Sequence, residues 1–412
     1  MKFYCIAVIG FSCLPLTIKG QGFWTQVADF GGGYRSGTAC FSIDNKGYVY
    51  GGSNGSQFFN DLWEYDPLTN SWTKKADLPA GTRRNAVAFS IGRKGYVGMG
   101  YGGGFTFYSD FWEWDQATDT WSRIADYPGE GGLGLSACVA FSIDPKGYVG
   151  TGGGWAVSPF RVSNEFWEYD SATNQWTQKP NLPDSARWFA VGFAIGARGY
   201  IGTGEDINGD YHNDFWEYDP QNSTWTRRAD FPGSERRAGV GLSIDASGYI
   251  ATGTKGSSTP RYKDLWEWHQ PTDTWMKRPD YPGANSEGIA VGSAFSVGGY
   301  GYVGTGVNPD SDPQKDFWRF SPDSVSGFAE GEQAETISVW PNPTGSQVWI
   351  ALHEENKTVL TISDIGGKAC HRQDIQHLTQ VDMSHLAPGV YFFEIRSEDS
   401  IQRFRIVRAS DD

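Results

Sequence analysis

The sequence predicts an all-β protein assembled from one repeated hairpin. Three observations carry this. Residues Asp61 to Trp72 alternate apolar or aromatic with polar side chains, and Pro67 and Asn70 mark a turn between two arms. The pattern returns at 110–128, 165–183, 214–232 and 264–282, with a truncated copy at Asp316–Phe320. Aromatics make up 15% of the chain and its 54 glycines fall in short runs, a composition suited to short strands and tight turns. No stretch has the spacing of a long amphipathic helix.

At 412 residues the chain has room for a large repeat domain and a smaller second one. Its formal net charge of −14 argues against a nucleic-acid or anionic-membrane partner. The same charge would keep an exported protein soluble.

Taken in order, Met1-Lys2, the apolar run Phe3–Ile18 and the small residue Gly20 read as a signal peptide over residues 1–20. The run is short for a bilayer span, and no transmembrane segment is expected later. Cys13 raises lipid attachment, for which Gly10-Phe11-Ser12 is a poor lead-in. Removing the leader leaves Cys40, Cys138 and Cys370, an odd and scattered set that reads as buried apolar thiols and not as a disulfide framework.

The first-arm tryptophans are Trp63, Trp112, Trp167, Trp216, Trp266 and Trp318, roughly 50 residues apart. Each repeat divides into four strands: in the second, Asn85–Ile91 is strand a, Gly95–Gly100 strand b, Asp110–Trp114 strand c and Trp121–Ile124 strand d. Glycine-tyrosine pairs recur in strand b, at 47–48, 95–96, 147–148, 199–200, 248–249 and 301–302. With Gly51-Gly52, Gly152-Gly153, Tyr65, Tyr169 and Tyr218, and the second-arm Trp72, Trp176 and Trp225, these marks resemble the kelch family over residues 21–325. The resemblance implies a β-propeller of four-stranded blades around a channel.

Trp318 has no second-arm partner nine positions on, where Gly327 stands. The missing arm is at the other end: Trp24-Thr25-Gln26-Val27-Ala28-Asp29 matches Trp72-Thr73-Lys74-Lys75-Ala76-Asp77. Six blades are therefore expected, the last closed by the N-terminal strand, which removes an open edge. Glu64, Glu113, Glu168, Glu217 and Glu267 hold one place in successive blades, so they are dispersed and read as repeat architecture. Paired catalytic acids must instead converge within several ångströms.

Ligands are expected where loops break the repeat. The d–a and b–c loops share one face. Arg35, Arg83, Arg187 and Arg236 each stand six positions before a strand-a Phe or Leu, with Leu135 and Ile289 in the other two blades. Four guanidiniums are thus expected around the channel mouth, fit to bind a carboxylate or sulfate. The other reading pairs each arginine with a neighbouring acid and makes it a stitch between blades. Trp188, Arg84 and Arg237 flank this ring, and Tyr101, Trp155 and Tyr211 are among the aromatics of the variable b–c loops, suited to a glycan or peptide. Asp206–Asp210 resembles a calcium loop only faintly, its glycine being misplaced. No cofactor, metal or catalytic residue is assigned.

Two kelch-type enzymes offer a comparison. Copper-radical sugar oxidases need clustered histidines, whereas His212 and His269 fall on opposite faces. Sialic-acid epimerases are six-bladed kelch proteins, and an arginine ring would suit their anionic sugar, but no motif here fixes a catalytic base. The leading expectation is a binding module for a glycan or protein. The alternative is an epimerase-like enzyme acting on an anionic sugar.

Ser, Gly, Pro and acids replace the repeat near 326–335, which reads as a linker. Residues 336–412 then show Pro341-Asn342-Pro343, Asp364-Ile365-Gly366-Gly367-Lys368, Leu386-Ala387-Pro388-Gly389-Val390-Tyr391 and the basic-apolar run Arg403–Arg408. In that order they resemble the type A C-terminal sorting domain of the type IX secretion system. The resemblance implies a small β-sandwich, the secretion machinery as partner, and a protein secreted or held on the outer-membrane surface.

Overall fold

The computed structural model describes residues 22–155, 159–256, 261–283, 287–322, 338–340, 347–351, 358–364, 368–376, 378–396 and 401–408. The expected signal peptide, with Cys13, and the linker lie outside them. The chain divides into two compact units, one over Gln21–Ser324 and the other holding the C-terminal strands.

The first unit is six four-stranded antiparallel sheets. In blade 2 the strands are a (Val87–Ile91), b (Lys94–Gly98), c (Phe111–Asp115) and d (Thr120–Ile124), close to the expected bounds. Strand a is innermost. The a strands pack side by side through all six blades, and that of blade 6 (Ser293–Val297) packs back on that of blade 1 (Ala39–Ile43). Blade 6 takes its outermost strand from the N-terminus: Phe23–Val27 pairs with Phe317–Ser321, placing Trp24 opposite Phe320.

Physical reasons for the repeated residues are now visible. A Cβ on Gly147 would stand 2.1 Å from the Phe89 ring of the preceding blade, so strand b needs glycine where the neighbouring blade's phenylalanine presses on it. The tyrosine that follows uses its hydroxyl on the strand-c glutamate: Tyr48 to Glu64 at 2.9 Å, Tyr96 to Glu113 at 2.9 Å, Tyr148 to Glu168 at 2.7 Å and Tyr200 to Glu217 at 2.9 Å. The glutamates are hydrogen-bonded architecture. Each strand-d tryptophan donates its indole N–H to a carbonyl of the preceding blade, as Trp121 does to Ala76, and Trp24 completes the circle on Pro279 at 2.9 Å.

A second circle closes at the channel mouth. The backbone N–H of Gly37 donates to Val291, Asn85 to Gly37, Ala137 to Asn85, Phe189 to Ala137, Ala238 to Phe189 and Val291 to Ala238, at 2.7–3.0 Å. All six residues have φ between 50° and 64°. Gly37 takes this left-handed conformation freely and Asn85 at little cost, and for β-branched Val291 it is strained. The closed hydrogen-bond cycle offsets that cost. Below it the bore is a cavity of about 180 Å³ lined by small residues, including Thr38, Ala88, Gly192 and Ala294. The free thiols Cys40 and Cys138 lie in this wall. Burial pushes both thiols up, Cys40 to about 11, so they are poor nucleophiles at neutral pH.

The second unit is a β-sandwich. A three-stranded sheet (Ser338–Trp340, Gln347–Ala351, Leu378–Asp382) and a four-stranded sheet (Thr358–Asp364, Ala369–Ile375, Gly389–Arg396, Ile401–Arg408) share a core that includes Val348, Ile350, Leu360, Ile362, Phe393 and Ile406.

Candidate functional site

The d–a and b–c loops meet on one face through short backbone bridges: Arg84 with Tyr101, Ser136 with Gly153, Trp188 with Glu205 and Arg237 with Thr254. This scaffold sets two layers of side chains, one beneath the face and one at the mouth.

The expected ring of four mouth guanidiniums is not what the structure builds. Arg83, Arg187 and Arg236 are fully buried and Arg35 is 4% exposed. Each turns into its own blade toward the acid that precedes strand c. Arg83 grips Asp110 with two bonds, at 2.6 and 3.0 Å, and also donates to the Met99 carbonyl. Arg187 does the same with Asp214 and Arg236 with Asp264, while Arg35 reaches Asp61 at 2.8 Å. Aromatic rings cover several of these guanidiniums: Phe59 lies 3.2 Å from Arg35, Tyr108 4.1 Å from Arg83 and Tyr262 4.4 Å from Arg236. Each acid also accepts the indole N–H of the tryptophan two residues on, as Asp110 does from Trp112.

Burial alone would push the Asp110, Asp214 and Asp264 carboxyls up. The arginine hydrogen bonds and charge outweigh it and hold all three below the ordinary carboxylate range. Arg83, Arg187 and Arg236 each spend four of their five N–H donors inside the protein, and their burial keeps them from a ligand at the mouth. The sequence left ligand contact and acid pairing both open because each partner acid lies 26–28 residues away, across the b strand and its loop. In blades 3 and 6, where Leu135 and Ile289 replace arginine, Glu165 accepts from the Glu130 amide instead and Asp316 from the Tyr281 hydroxyl at 3.4 Å.

The mouth layer holds the other expected residues. Trp188 is half-buried and its indole N–H donates to Glu205 at 3.0 Å. Its ring contacts Phe160 and Phe189 at 4.9 and 4.8 Å between centroids, and Phe160 contacts Trp155 at 5.0 Å. Trp155 is 58% exposed. Tyr101 stacks on Phe107 at 5.4 Å with Phe58 edge-on at 5.8 Å, and Phe107 abuts the Gly154 position of the next blade. Trp155 and Trp188 thus lie on one arc of aromatic rings through Phe160, and Tyr101 belongs to a second cluster on the preceding blade that meets it only at Gly154. Tyr211 lies beside the arc, bridged to Glu205 through the backbone, and burial followed by the Glu205 charge pushes its phenol up.

Glu205 and Arg261 were not singled out in sequence. Glu205 receives Trp188 and an ion pair from Arg237, whose guanidinium lies 5.3 Å from the Trp188 ring. A signal was present for Glu205: the same register position holds Ser53, Tyr101, Gly153, Thr254 and Val307 in the other blades, so it is the one acid in the set. Arg261 sits in a variable loop with no such register.

Asp206 spends its Oδ1 on the amides of Asn208 and Asp210, at 2.8 and 3.0 Å. Burial would push this carboxyl up, and the two amides pull it below its ordinary range. That is turn chemistry. Among the described residues no cluster of three or more His, Cys, Asp or Glu suits a metal ion.

The comparisons with known proteins can be set beside this geometry. A family model described as the KLHDC2/KLHL20/DRC7 Kelch-repeats domain matches residues 23–153. The Secretion system C-terminal sorting domain matches residues 338–408. A solved structure titled "Structure of YjhT" is similar with a TM-score of 0.60 at 17% identity, covering 71% of this chain and 95% of that one. At that identity the likeness speaks for the fold. No curated protein matches the chain.

Proposed function

For a chain that is a kelch-repeat propeller with a type IX C-terminal sorting domain, and so destined for export to the cell surface or the medium, we propose a glycan-binding role at the loop face. The observation that carries it is the aromatic arc. Rings whose orientation is fixed, as that of Trp188 is by Glu205, stack on the C–H faces of sugar rings at little entropic cost. Exposed Trp155 adds a flat apolar platform joined through Phe160 to Trp188, whose polar neighbours Glu205 and Arg237 can bond hydroxyls.

A glycan array probed with the purified protein and with Trp155→Ala tests this. Binding of a defined glycan class that weakens about tenfold or more in the variant is expected, from loss of one stacked ring. An array bound identically by both proteins refutes the arc as the site. Export is separable: removing residues 336–412 should leave the propeller in the periplasm, and its appearance outside the cell would refute dependence on the sorting domain.

A further inference from the structure

Every fully or nearly buried arginine in the propeller has its acid: Arg35, Arg83, Arg187, Arg236 and Arg278 all make ion pairs. Arg261 does not. It is half-buried beside the mouth, and its guanidinium donates only to the Thr254 hydroxyl at 3.0 Å and the Gly256 carbonyl at 3.2 Å. Its Nε is buried with no partner. Burial and the charge of neighbouring Arg237 both work against its cation. Arg237 in turn shares its one carboxylate, Glu205, with the Trp188 indole.

Both arginines meet Thr254, Arg237 through the backbone and Arg261 through the Thr254 hydroxyl, and Arg237 alone has an acid, in a chain of net charge −14. Crowding like charges at a half-buried site is unfavourable in the empty protein, and a bound anion relieves it. The planar N–H edge of a guanidinium matches an oxyanion, and Trp188 lies alongside to hold the ring that carries it.

We infer that Arg237 and Arg261 form the subsite for an oxyanion of the glycan, a carboxylate or a sulfate ester. This rests on the glycan-binding reading and adds the chemical class of its ligand. The ligand's negative group lies between the two guanidiniums, and its sugar ring packs toward Trp188.

Isothermal titration with a uronic-acid oligosaccharide, its carboxyl-reduced counterpart and a sulfated oligosaccharide tests the subsite. The acidic form should bind about tenfold or more tighter than the reduced form, the sulfated arm identifying which oxyanion is preferred. Arg261→Ala should abolish that difference, and Arg261→Lys should retain part of it. Equal affinities in the wild type, or a difference that survives Arg261→Ala, overturns the subsite. Failure of all three glycans together with a blank array counts against the glycan reading itself. Glucuronate and sulfate ions alone then decide the subsite: a rise in melting temperature that Arg261→Ala lacks supports it, and no rise overturns it.

Discussion

Beneath the loop face Arg83 is fully buried and doubly bonded to Asp110, whereas one residue on, Arg84 stands half-buried at the mouth with no ion pair to any described acid. The same step separates Arg236, locked to Asp264, from Arg237 beside Trp188. The buried layer repeats in four of the six blades, with an arginine as donor and an aspartate as acceptor each time. The mouth layer varies around the ring: Ser36, Arg84, Ser136, Trp188, Arg237 and Ala290 occupy its register in turn. Side chains that obey the repeat hold blades together, and those that depart from it are left to meet a ligand.

The largest expected effect is on the repeat layer. Removing Gly22–Phe30 takes the fourth strand from blade 6 and exposes the edge of Phe317–Ser321, so the melting temperature should fall by about 10 °C or more in a thermal scan. An unchanged melting curve would break the closure. Next, Arg83→Ala strands Asp110 without its counter-charge and should cost about 3–5 kcal/mol in urea denaturation, while Arg84→Ala should stay within about 0.5 kcal/mol. Equal losses for the two neighbours would erase the distinction between layers.

Acid should weaken the buried layer. Asp110, Asp214 and Asp264 lie below their unfolded pKa, so their contribution is complete above about pH 4 and is lost as pH falls through the folded values. Urea midpoints measured on either side of pH 4 should drop in the wild type and drop less in Arg83→Ala. The smallest effect on stability belongs to Trp155→Ala, within about 0.5 kcal/mol, because an exposed ring contributes little to the fold.

How much of this the sequence disclosed follows the same division. Blade count and closure were legible because a tryptophan every blade, and one out of place at Trp24, can be counted. The reason for glycine in strand b was not legible, since it lies in the neighbouring blade's phenylalanine ring. Arg83 was found at the right register with two roles open, a ligand contact or an ion pair: spacing locates a side chain along the strand and does not say which acid the fold brings alongside. The left-handed circle at the mouth was hidden for another reason, because Phe189, Ala238 and Val291 have no local preference for positive φ and only tertiary hydrogen bonds impose it.

The pairing of Trp24 with Phe320 also sets an order of events. The first strand of the propeller has its partner almost 300 residues downstream, so it emerges from the ribosome early and must wait for the last blade to be synthesised. Until residues 317–321 are available, the ring is an open arc with an unsealed sheet edge at its end. Closing it spans the longest loop in the propeller, and the entropy of that closure grows only logarithmically with length. Completion is therefore late in time without being prohibitive in free energy, and a chain truncated anywhere before the sixth blade lacks the partner its own first strand requires.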